Sequence, residues 1–206
     1  MNGDFRALAQ KIRVPLGFLL GALFVLLSRP TPALAAVGFS VALLGIGLRL
    51  WAAGCIEKSR ELEVSGPYRY TRNPLYLGSF VLGVGACVAA ANVWLIAIFV
   101  LLFWCVYGPV MKREEEEMQK LFPERFPEYR DAVPLFVPRL TKTNSLPAAG
   151  LEFSLERESR PLGAETRGAT PEIRFRWSRV LRNREYNAVV GFLGIFAWIC
   201  FRLWKS

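Results

Sequence analysis

Apolar residues gather into blocks at about 14–28, 33–55, 75–90, 93–109 and 187–204, and most charges lie between them. Blocks of this length with so few charges predict membrane-spanning helices rather than the core of a soluble domain. Ser28-Arg29-Pro30-Thr31-Pro32 leaves room only for a tight helical hairpin between the first two. A second hairpin is predicted at Ala91-Asn92, with Asn92 capping the fourth helix. Asn73 followed by Pro74 reads as cap and first turn of the third, and Pro109 as the end of the fourth. The fold class expected is all-α: a polytopic membrane protein of about five transmembrane helices, with the first span retained rather than cleaved.

Individual positions refine this outline. Gly38, Ala42 and Gly45 either form a close-packing face or reflect the frequency of glycine in membrane helices. Arg49, near the end of the second block, is expected to snorkel to the interface, the alternative being an internal polar site. Residues 111–122 read as a helix leaving the bilayer, with Glu116 and Lys120 paired at i,i+4. The Val133–Arg139 stretch is apolar enough to lie against membrane or protein. Three units follow: a membrane domain over residues 1–139, a polar linker at 140–170, and a basic segment with a final apolar helix at 171–206. That last helix is expected to span, the alternative being a helix parked against the bilayer or a protein partner.

Charge orients the chain. The N-terminus carries three Lys or Arg (Arg6, Lys11, Arg13) and the 56–74 loop four (Lys58, Arg60, Arg69, Arg72). Fifteen more fall in residues 111–186, against one and none in the two hairpin turns. The positive-inside rule then puts the N-terminus, the 56–74 loop and the long basic region in the cytoplasm. The net charge of +9 suits an anionic leaflet, and the apolar blocks argue against nucleic acid as the partner of that charge. The chain has no histidine, and its four cysteines (Cys55, Cys87, Cys105, Cys200) make no short-spaced pair. Neither a metal site nor a histidine-based catalytic group is therefore expected.

With this topology the turn Ser65–Gly78 and the acidic foot Glu114–Glu117 meet on one face, joined by a single hairpin. Tyr68, Tyr70, Arg72, Asn73 and Tyr76 stand on one side and carboxylates on the other. Carboxylates beside aromatic rings suit a ligand with an ammonium group, a planar base and a sulfonium. The plainer alternative is a solvated acidic helix face with tyrosines as interface anchors.

The turn Gly66-Pro-Tyr-Arg-Tyr-Thr-Arg-Asn-Pro-Leu-Tyr-Leu-Gly78 resembles the Gly-x-Tyr…Arg-His-Pro-x-Tyr-x-Gly signature of the isoprenylcysteine carboxyl methyltransferases and related membrane phospholipid methyltransferases. Glu114-Glu115, Met118, Phe122-Pro123, Phe126 and Tyr129 resemble the family's second motif, and Val133-Pro134…Val137-Pro138 its closing segment. The similarity covers about residues 38–139. It implies a cytoplasmic-face pocket for S-adenosylmethionine lined by Leu62, Tyr68, Asn73, Pro74, Leu75 and Tyr76, with Glu114 receiving the charged end. It also implies methyl transfer to a membrane-embedded small molecule or lipid, such as a carboxylate or thiol on an apolar tail. Phospholipid N-methylation and a non-catalytic scaffold or ligand sensor are the alternatives. Asn73 replaces the family's histidine, Val110 aligns with an arginine, Pro123 with a glycine, and Leu135 with an arginine of many bacterial relatives. No side chain is singled out as catalytic, because alkylating an ionised carboxylate needs no proton removed.

Overall fold

The computed structural model describes residues 17–56, 62–139 and 175–205. The linker expected at 140–170 lies outside the described residues, as do the start of the first block and Arg60-Glu61. Six α-helices follow α1 (Gly17–Leu27) among the described residues: α2 (Pro32–Cys55), α3 (Pro74–Ala89), α4 (Val93–Leu121), α5 (Phe126–Ala132), α6 (Trp177–Arg182) and α7 (Tyr186–Lys205). Helices α2, α4 and α7 are long and apolar enough to cross a bilayer, and the described part of α1 and all of α3 are shorter apolar helices. At about 1.5 Å per residue α3 reaches only about 24 Å, short of a typical hydrocarbon core of about 30 Å. Among the described residues the molecule is a multi-pass, largely helical membrane protein with at least three full-length spans and two shorter apolar helices.

The small residues of α2 form a packing face. A Cβ added to Gly38 would sit 2.4 Å from the Ala89 nitrogen and 2.5 Å from the Gly85 carbonyl, and one on Gly85 would sit 2.4 Å from the Ala42 nitrogen. Gly45 and Gly78 continue the contact toward the other end, so α2 and α3 touch backbone to backbone. The far end of the bundle is tied by Arg29 N–H to the Ala90 carbonyl (2.8 Å) and by Asn92 Nδ2 to the Leu27 carbonyl (3.1 Å). Asn92 also caps α4 as expected, its Oδ1 accepting from Trp94 N–H at 3.0 Å.

Pro109 does not end the fourth helix. α4 runs unbroken through it to Leu121, so the acidic foot is rigidly continuous with the span. Proline removes one donor to the carbonyl four residues back, which a membrane helix beside other protein tolerates, and Gly108 before it lacks the Cβ that would collide. Aromatic rings then fix α3, α4 and the segment after α5: Phe80 meets Phe103 at 5.0 Å and Phe136 at 5.6 Å, and Trp104 meets Phe136 at 4.8 Å. The Val133–Arg139 stretch thus lies against the protein.

Candidate functional site

Three pieces of chain meet at one end of the bundle: the turn after α2, the foot of α4, and the segment after α5. The turn begins with Gly66 in the left-handed region (φ 55°), where a side chain would press within 2.9 Å of Cys55 Sγ. This conformation delivers Tyr68 inward, into a cluster with Ala52 and Cys55 that Leu75 completes. Thr71, 1% exposed, is the rivet. Its Oγ1 lies 3.0 Å from the Phe136 carbonyl and 3.3 Å from that of Leu135, and it accepts from Asn73 N–H at 3.3 Å. Two backbone bonds complete the seam, Arg72 N–H to the Pro134 carbonyl (2.9 Å) and Arg139 N–H to the Tyr70 carbonyl (3.0 Å).

The acidic foot reaches the turn through two side-chain bonds. Tyr76 donates its hydroxyl to Glu114 Oε1 at 2.7 Å, and Arg72 Nη1 pairs with Glu115 Oε1 at 2.8 Å. Beside Glu114, the rings of Tyr76 and Tyr107 lie 5.4 Å apart and form an aromatic wall. The i,i+4 ion pair seen on the outer face of the foot is Arg113–Glu117 at 2.8 Å.

Two polar atoms in this region are buried and have no hydrogen-bond partner among the described residues: the Tyr68 hydroxyl and Arg72 Nε. An unmatched buried donor is costly, about 1–3 kcal/mol, and calls for an explanation. Burial above all, then the neighbouring Tyr129, Glu63, Cys55 and Glu114, holds the Tyr68 hydroxyl well above the usual phenol range, so it remains a neutral donor. Tyr129 is likewise pushed up, chiefly by burial, and donates to the Tyr68 carbonyl at 2.8 Å. Glu63 accepts from Ser65 N–H at 2.8 Å, which keeps its carboxylate at the entrance to the turn.

The sequence-derived residues divide into those that converge and those that do not. Tyr68, Leu75, Tyr76 and Glu114 gather around the turn and foot. Pro74 is buried in the first turn of α3. Asn73 is not the side-chain cap expected of it: its Nδ2 donates instead to the Leu135 carbonyl at 3.0 Å. Leu62 packs with Phe126, Tyr129 and Val133 on the α5 side. Glu63 and Tyr129 were not singled out from sequence, although each stands beside Tyr68. The spacing of Tyr129 in the second motif was the available signal. A cleft of ≈ 330 Å³ lies elsewhere, between α4 and Leu135, lined by Trp104, Cys105, Gly108, Pro109, Met111 and Lys112, and none of the sequence-derived residues borders it.

Arg49 also departs from expectation. It does not snorkel but turns inward, and its fork meets Glu185, 136 residues away, at 2.9 and 3.0 Å. A partly buried guanidinium needs a carboxylate, and the α6–α7 turn supplies one.

Comparison with known proteins bears on this arrangement. The phospholipid methyltransferase family profile matches residues 42–125, from the middle of α2 to the end of the acidic foot. This segment, residues 42–125, is thus similar to the phospholipid methyltransferase family. Its relatives include the nickel-cobalt-cadmium resistance protein NccN of Alcaligenes xylosoxydans, 38% identical over 108 residues, half of each chain. The cobalt-zinc-cadmium resistance protein CzcN of Cupriavidus metallidurans is 38% identical over 109 residues, covering 51% of this chain and 48% of that one. The protein-S-isoprenylcysteine O-methyltransferase of Schizosaccharomyces pombe is 28% identical over 82 residues, covering 40% of this chain and 35% of the enzyme. The chain thus spans about half the length, or less, of these relatives. No solved structure matches. Within the family segment fall the turn, α3, and α4 with Glu114; α5, α6 and α7 lie beyond it.

Proposed function

We propose that the chain binds S-adenosylmethionine between the Gly66–Arg69 turn and the foot of α4, and transfers its methyl group to an apolar molecule held in the membrane. The observation that carries this reading is the buried Tyr68 hydroxyl, which has no partner among the described residues and lies within the electrostatic reach of the Glu63 and Glu114 carboxylates. A neutral donor beside two anions matches a ligand that offers acceptor atoms together with ammonium and sulfonium charge. The Tyr76–Tyr107 wall adds ring faces to which a cation is attracted. Leu62, Asn73, Pro74 and Leu75 complete the lining in this reading, with Asn73 shaping the turn through Leu135.

When bound, S-adenosylmethionine supplies an electrophilic methyl group on a sulfonium. The chain's residues hold, orient and shield. The Arg72–Glu115 pair keeps turn and foot from parting, the Thr71 rivet holds the turn to the segment after α5, and the apolar cluster behind Tyr68 excludes water. With no histidine in the chain and a Tyr68 hydroxyl that stays protonated, the site suits an acceptor that is already anionic. A carboxylate or thiolate on an apolar tail is therefore the proposed substrate class. Residues 1–139 form the methyltransferase-like unit in this reading, and the charge distribution favours a cytoplasmic reacting end.

The test is incubation of the purified chain in lipid with methyl-labelled S-adenosylmethionine and total membrane lipids. Label released by mild base identifies an ester and supports the proposal. Label retained in a polar headgroup replaces the acceptor with an ethanolamine phospholipid. Cofactor binding without transfer identifies a sensor or scaffold, and absence of binding rejects the reading.

A further inference from the structure

The C-terminal helices lie outside the family segment, yet they fasten to both helices that frame the turn. Glu185, in the link between α6 and α7, has a side chain only 7% exposed and grips Arg49 of α2 in a two-point fork. The third nitrogen of that guanidinium donates to the Leu75 carbonyl at 3.4 Å and to Ser79 Oγ. Leu75 belongs to the first turn of α3, and its side chain packs on the cluster that contains Tyr68. Carboxylate, guanidinium, helix turn and phenol are therefore in series.

A second route runs in parallel. The last carbonyls of α2 have no partner within the helix. The C-terminal segment supplies donors for three of them. Arg176 N–H reaches the Gly54 carbonyl at 3.0 Å, Asn183 Nδ2 the Ala53 carbonyl at 3.1 Å, and Arg179 Nη1 the Cys55 carbonyl at 2.9 Å. Arginine at a helix C-terminus also offsets the partial negative charge there. Cys55 is the residue whose sulfur abuts Gly66 and which packs against Tyr68.

We propose that Glu185 is a positioning residue of the methyl-donor site: through Arg49 it sets the first turn of α3 against Tyr68, so α6 and α7 are a working part of that site. This rests on the donor-site reading above. A buried ion pair is weak support for stability as such, and swapping both partners for apolar side chains is often neutral. That property separates positioning from folding. The test compares the full chain in lipid nanodiscs with Glu185→Gln and with the double variant Arg49→Met/Glu185→Leu, which leaves no unpaired charge. All carry Cys105→Ser and Cys200→Ser, the two exposed cysteines, so that maleimide reports on Cys55 against the buried reference Cys87.

The double variant is expected to melt close to the parent. It should bind S-adenosylmethionine about tenfold more weakly, a size common for coupling between separated parts of a protein. Cys55 should react several-fold faster while Cys87 stays protected. Glu185→Asp, which keeps the charge, should recover much of the affinity, as a purely space-filling role would not allow. A folded double variant with the parent's affinity and Cys55 protection overturns the proposal while leaving the donor site standing. If the parent itself fails to bind, the donor-site reading falls and the positioning role falls with it. The Cys55 rate then still shows whether the mechanical link exists.

Discussion

Replacing Gly38 by alanine should force apart the two helices that carry the turn. The added methyl carbon would lie 2.4 Å from the Ala89 nitrogen, 2.5 Å from the Gly85 carbonyl and 2.6 Å from the Ala89 Cβ. Ordinary contact begins near 3.4 Å, so α2 and α3 must separate locally by about 1 Å. Two of the three obstacles are backbone atoms of a regular helix, which cannot rotate away. A gap of this size forfeits about a quarter to a half of each dispersion contact nearby, including those of the fully buried Ala42. Overpacking of this kind costs about 1–3 kcal/mol, offset by about 0.5–1 kcal/mol from the better helix propensity of alanine. A net loss of about 1–2 kcal/mol should lower Tm by roughly 2–8 °C for a chain of this size. Gly47→Ala is the matched control, because its added Cβ meets nothing within 4 Å. Thermal unfolding in a mild detergent decides the matter. Equal melting of the two variants would refute the backbone-to-backbone contact, whatever their absolute stabilities.

Other outcomes follow from the site. Tyr129→Phe removes the hydrogen bond to the Tyr68 carbonyl and should destabilise by about 1 kcal/mol, measurable in the same melt. If Glu114 receives the ligand's charge as proposed, Glu114→Gln should weaken S-adenosylmethionine binding more than Tyr76→Phe, which removes only the hydroxyl that donates to that carboxylate; equilibrium dialysis ranks the two. In an alkaline titration followed by phenolate absorbance, Tyr68 and Tyr129 should stay protonated well past the usual phenol range. Both are raised above the unfolded value of about 10, so their stabilising contribution is complete below that pH and is lost as pH climbs toward the folded values. Ionisation of Tyr68 and Tyr129 in the usual phenol range, with the fold intact, would contradict the burial described.

What the sequence made legible was periodic or local. Apolar blocks announced the helices, Asn92 announced its cap, and the spacing of small residues offered the α2–α3 contact as one of two readings. Hairpin alternation was enough to bring Tyr76 to Glu114. Two of the misreadings share a cause, since each depended on a partner distant in the chain. Pro109 was expected to stop α4, but a proline preceded by glycine and buried by its neighbours is carried along. Asn73 was expected to cap α3, but its side-chain amide donates to the Leu135 carbonyl, 62 residues along the chain. Arg49 could be placed only once Glu185 was in view, and no pattern within α2 points to a carboxylate beyond residue 180. Buried polar groups choose partners in three dimensions, and a one-dimensional pattern carries that choice weakly.

The most direct test of the donor site is ultraviolet cross-linking of labelled S-adenosylmethionine to the purified chain, followed by peptide mapping. The account predicts label on peptides that contain Tyr68 and Tyr76, competed away by S-adenosylhomocysteine. Label confined to the α4 cleft peptide with Trp104 and Lys112, or no competable label at all, would contradict it.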